Sequence, residues 1–289
     1  MDRSGKTVIT PRFNRVGPFS EGLAAVRLGD KSGYIDKSGK YVIDSQYNSA
    51  EPFSEGLAAV QGLSGGEWGY VDRSGKYVIN PHFYYAAPFS DGLAVVQGAG
   101  GKIWFVDKTG KYAINLPFDN ATPFSEGLAA VQVGDKWGYV YRSGKYVIDP
   151  QFNTAMSFSE GLAAVWSDKW GFVDRTGRYV INPKFDSAMS FSDGLAWVYL
   201  RAGGGWGYID KSGQYVINPS GHLSNSFSEG LAAVMAEGGK WGFVDRTGNY
   251  VIKPQFDSAE SFREGLAAVK VGRKQGFVDK VGQYVRNPQ

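Results

Sequence analysis

The chain has 289 residues, 43% apolar and 20% charged, with a net charge of +3, a balance unlike that of disordered or collagen-like chains. It has no cysteine and two histidines, which removes disulfides, thiol catalysis and cysteine-ligated metal and leaves little material for acid–base chemistry. Forty glycines and an aromatic content of 15% point to strands and tight turns, and no apolar run reaches the ~18 residues of a membrane helix.

The opening Met-Asp-Arg-Ser-Gly-Lys has no apolar stretch, so no secretory leader is expected; the compartment stays open. Asp2-Arg3-Ser4-Gly5 is the first of nine segments of the form Asp-basic-x-Gly, and the others start at Asp36, Asp72, Asp107, Tyr141, Asp174, Asp210, Asp245 and Asp279. The later segments are flanked by Trp-Gly-Tyr/Phe-Val/Ile and Lys-Tyr-Val-Ile patterns, the signature of a β-hairpin. A type I turn closed by a left-handed glycine with a bulge is expected in each. Pro81, Pro150, Pro183, Pro219 and Pro254 are expected to end the second strand, because proline cannot continue a ladder.

Next in each module comes Phe-Ser-Glu/Asp-Gly-Leu-Ala, with its phenylalanine at Phe19, Phe53, Phe89, Phe124, Phe158, Phe191, Phe227 and Phe262. Spacings of 33 to 36 residues fall in the range of solenoids, propellers and arrays. The Leu-Ala-Ala-Val stretch reads as a third, short strand. Length varies only between that strand and the Trp-Gly position: four residues between Val165 and Trp170, seven between Val60 and Trp68. A packed frame with one free edge follows from this pattern. The recurrent aromatics read as core columns, each ring burying on the order of 150–250 Å².

The unit Phe-x-Glu-Gly-Leu-Ala-x-Val…Trp-Gly-Tyr-Val-Asp-Arg-Ser-Gly-Lys-Tyr-Val-Ile-x-Pro-x-Phe resembles the WG repeat (KWG repeat) found in many bacterial proteins, over essentially the whole chain. The resemblance implies an all-β repeat used for interactions, with no shared catalytic residues, so neither an enzyme nor a cofactor is expected. The departures are local. Ser32 and Gln275 replace Trp in the end copies, Ile103-Trp104 replaces Trp-Gly, and Pro219-Ser220-Gly221-His222 lacks the usual aromatic.

The expected fold is all-β: tandem short antiparallel hairpin modules forming an open solenoid-like array, with a closed eight-bladed β-propeller as the alternative. The array would be a single domain over 1–289, with eight modules and an N-terminal half-module (1–18) as cap. Two arguments favour it. Both ends carry the same half of the module, and the unit is short for a four-stranded blade of ~40–45 residues.

Acids and bases alternate at module-fixed positions, which reads as solubility and inter-module pairing rather than a nucleic-acid face. One carboxylate per turn is too few for calcium. The glycine runs lead into strands, which argues against phosphate loops. His82 and His222 have no nucleophile motif beside them.

Residues that break the repeat mark the candidate partner-binding set: Trp166, Trp197, Tyr199 and Arg201 near the variable loops of the fifth and sixth modules, with Tyr84 and Tyr85 in the third. Trp, Tyr and Arg anchor protein interfaces; filling gaps left by unequal loops is the other reading. The function expected is a non-catalytic protein-interaction scaffold or linker, able to self-associate through its end modules. A carbohydrate or cell-wall binder using exposed rings is the alternative.

Overall fold

The computed structural model describes residues 8–63, 65–203, 205–220 and 224–287. The Asp2–Gly5 turn and His222 lie outside the described residues. The chain divides into two compact units, one spanning Thr7–Asn153 and the other containing Thr154–Gln289, and four antiparallel sheets fall in each.

The second sheet shows the plan. Its strands, Ser49–Ala50, Ala58–Gln61, Trp68–Val71 and Tyr77–Phe83, pair in chain order, each antiparallel to the last. The first sheet repeats this with Arg15–Ser20, Leu23–Leu28, Lys31–Asp36 and Tyr41–Tyr47. The fifth uses Thr154–Ala155, Ala163–Trp166, Trp170–Val173 and Tyr179–Phe185, and the sixth Ser187–Ala188, Ala196–Leu200, Gly205–Ile209 and Tyr215–Ser220. In the third sheet the bridges Ile103↔Phe118 and Val106↔Tyr112 stand in for the fourth strand.

Burial follows from this order. Ala58, Ala59 and Val60, then Trp68 to Val71, are buried without alternation, as expected of strands covered on both faces. Small alanines there let the next sheet approach: Ala59 shares a core with Phe83 and with Phe89 of the following module. The fourth strand lies at the sheet's edge and alternates, with Ile79 and Phe83 buried and Val78 and Asn80 exposed.

The Asp-x-x-Gly turn forms as expected. Gly75 donates to the Asp72 carbonyl at 2.9 Å with φ +82°, and one Asp72 carboxylate oxygen accepts from the Ser74 N–H, the Ser74 hydroxyl and the Lys76 N–H. The Glu-Gly step is a second tight turn. Ser54 and Leu57 exchange backbone hydrogen bonds, while Glu55 and Gly56 take φ of +54° and +88°, the pattern of a two-residue type I′ hairpin.

Three expectations are corrected. The module is a four-stranded meander; its two-residue first strand was too short to leave a period. Proline does not end the fourth strand, because Pro81 sits inside it at a register shift on the unpaired edge, where no ladder bond is lost. Pairing resumes at Trp68↔Phe83, with the backbones so close that a Cβ at Gly69 would lie 2.5 Å from the Ile79 carbonyl oxygen. The third correction follows from the first: the expected hairpin modules are four-stranded meanders, the form of a propeller blade. Tight turns and a minimal first strand compress the blade into a repeat that looked too short for it.

Candidate functional site

Each sheet presents two edges, and they do different work. On one edge lie the Glu-Gly and Asp-x-x-Gly turns, which clasp neighbouring sheets. In the Thr7–Asn153 unit, the Ser54 hydroxyl donates to the carbonyl of Phe89 in the next module at 2.7 Å. The Glu55 carboxylate accepts the Gly92 N–H at 3.0 Å and pairs with Lys108 at 3.1 Å. The Thr154–Gln289 unit repeats the clasp: Ser192 to Phe227 at 2.7 Å, Asp193 with Gly230 at 2.6 Å, Asp193 with Arg246 at 3.5 Å. The carboxylates read as inter-module pairing do pair between modules, and their main target, a backbone N–H, has no sequence signal. Glu229 shows the electrostatics, its carboxyl held below the usual range chiefly by the Lys280 ammonium.

The opposite edge carries the variable loops, and five of the six candidate residues lie along it. Trp166 ends the second strand of the fifth sheet, 37% exposed and paired across the ladder with Trp170. Lys169, beside Trp170, forms an ion pair with Asp186, which also accepts the backbone N–H of Arg201 at 2.8 Å. Lys169 first, then that N–H, holds the Asp186 carboxyl below its usual range. One carboxylate thus ties the Trp166–Trp170 hairpin to the Arg201 loop, leaving the Arg201 side chain exposed. Asp119 and Asp257 repeat this tie with Lys102 and Lys240. Nothing in the sequence singled out Asp186; its place just after the strand-four phenylalanine was the available signal.

Tyr199 pairs across the ladder with Trp206 and packs on it at 4.7 Å. Trp197 behaves differently. Its indole stacks on Trp206 at 3.9 Å and 21° and packs against Leu195, Tyr208 and Phe227. The sequence of module six also has Gly221 where others place Phe. Gap-filling describes Trp197, while Trp166 faces solvent. Tyr84 and Tyr85, in the other unit, are 59% and 46% exposed, with Tyr85 edge-on to Trp68 at 6.2 Å.

His82 is exposed, its Nδ1 2.7 Å from the Asn80 carbonyl oxygen and its ring against Phe83. The buried hydroxyls of Tyr34, Tyr70 and Tyr208 donate to backbone carbonyls, and desolvation drives their pKa values far upward. They act as protonated core pins. Among the described residues no group of three or more His, Asp or Glu side chains is placed to hold a metal ion, and no helix is long and apolar enough to cross a membrane.

Comparison with known proteins places this architecture. The chain is similar to the crystal structure of a eukaryotic initiation factor (TM-score 0.64, 11% identity, covering 96% of this chain and 90% of that one). It is similar also to the computationally designed Ika8 protein (TM-score 0.58, 14% identity, 96% and 98%). The C-terminal WD40 domain of Sif2 aligns with TM-score 0.50 and 10% identity over 94% and 97%. At such identities the likeness shows the fold alone, and it is that of a closed, eight-bladed β-propeller, which overturns the open solenoid-like array. No curated protein matches the chain. The model of the WG containing repeat matches eight times, at residues 1–31, 33–61, 68–102, 105–137, 137–165, 170–201, 206–241 and 241–274. Blade by blade, then, the clasped turns and variable loops described above are those of WG repeats, and the chain belongs to the WG-repeat family.

Proposed function

We propose that the chain is a non-catalytic interaction scaffold that docks a protein partner on the loop edge of the fifth and sixth blades. The observation that carries this reading is Trp166. It stands partly exposed at a strand end where other blades put Gln61, Gln97 or Gln132, so the fold does not require an aromatic ring there. Beside it, Tyr199 and Arg201 supply the other side-chain types that dominate interface energetics, and the Asp186 tie holds their backbone in place before any partner arrives, which lowers the ordering cost of binding. A protein partner offering an apolar side chain to Trp166 and a carboxylate to Arg201 fits this edge.

The test is co-purification with Trp166→Ala combined with Arg201→Ala. A stoichiometric protein recovered by the wild type and lost by the variant, with unchanged circular dichroism, supports the proposal. Retention of the same partner by the variant contradicts it. Displacement of binding by free sugars would instead favour a carbohydrate binder.

A further inference from the structure

The first blade differs from the others in a way that leaves a site. Its third strand begins Lys31-Ser32-Gly33, and Ser32 stands in the register of Trp68: Ser32 pairs with Tyr47 as Trp68 pairs with Phe83. Around Trp68 the indole lies edge-on to Tyr85, on the first strand of the next sheet. The residue corresponding to Tyr85 beside Ser32 is Ser49, so both rings are missing.

A cleft of about 310 Å³ lies there, lined by Pro18, Ala25, Ala50 and Pro52 with Ser32 and Ser49. Arg15, Arg27 and Glu51 also line it, a balance that leaves one positive charge in excess. Arg15 and Arg27 are direct partners across the first two strands, an arrangement that like charges disfavour. The second sheet has Ser49 and Gln61 at the same two places. Arg27 Nε donates to the Gly29 carbonyl at 3.2 Å, and no ion pair joins either guanidinium among the described residues. An unfavourable cation pair beside an emptied ring slot has no packing reason in the fold, and such local inconsistencies mark functional positions.

We propose that this cleft binds an aryl carboxylate. The flat ring takes the place vacated by the indole, among the prolines and alanines, and the carboxylate meets the two guanidinium forks, whose planar donors match it bidentately. This site is independent of the loop edge of blades five and six.

Titration calorimetry with indole-3-propionate is the test. The wild type should bind it at least tenfold more tightly than indole or propionate alone. Ser32→Trp, which restores the repeat's own residue, should abolish binding. Arg27→Gln, which installs the second blade's residue and leaves the slot open, should weaken it at least tenfold. No binding by the wild type, equal binding by either variant, or equal affinity for propionate alone would overturn the proposal.

Discussion

Trp166 and Trp197 break the repeat equally in sequence, and they separate only when their surroundings are known. Trp197 occupies an alanine position on the face of the second strand that packs against the next blade, whereas Trp166 ends its strand at the surface. The two breaks are visible in the sequence; the stacking of Trp197 on Trp206 and its packing against Phe227 of the next module are not. Burial sets the expected costs. Trp197→Ala should lower unfolding free energy by about 2–4 kcal/mol, somewhat under the full cost of emptying a buried indole site. Trp166→Ala should stay within about 0.5 kcal/mol. Denaturant unfolding of both variants checks this, and a reversal of the order would assign Trp166 to the core.

Elements were legible where their chemistry is local. The Asp-x-x-Gly turn needs an acceptor, a hydroxyl and a left-handed glycine within four residues, all visible in Asp72-Arg73-Ser74-Gly75 and all used. The two-residue first strand has no such signature. It exists because its neighbours hold it: Ala50 pairs with Val60 in a ladder that the type I′ turn at Glu55-Gly56 closes. Pro81 misled because proline was weighed against a central strand rather than an edge. The turns also carry a pH dependence. In Asp72, Asp107, Asp174, Asp210 and Asp245 the carboxyl is held below its usual range, first by the hydroxyl of the Ser or Thr two residues on. A carboxyl with a lowered folded-state pKa contributes stability that is complete above its unfolded value and lost as pH falls through the folded one. Thermal midpoints should therefore stay level from pH 7 to about 5 and decline below about pH 4, and Ser74→Ala should shrink the decline. A midpoint that rises on acidification would contradict the turn account.

At the scale of the molecule, the repeat, its family and its all-β class were open to reading, and its closure was not. The two arguments for an open array rested on unit length and on the duplicated ends. The first failed because a blade can be built with a first strand of two residues. The second, the duplicated ends, gave way to the likeness of the whole chain to solved propellers. A propeller and an array predict different responses to loss of a module. Removing one whole repeat, residues 54–89, should abolish the single cooperative unfolding transition of a closed propeller, whereas an open array would keep it with a modest loss of stability.

Hydrogen exchange of the chain with and without its recovered protein partner tests the scaffold reading most directly. The account predicts protection confined to the loop edge, at residues 166–170 and 199–206, with the Glu-Gly turns unchanged. Protection confined to the turn edge, with the segments around Trp166 and Arg201 exchanging as in the free chain, would contradict it.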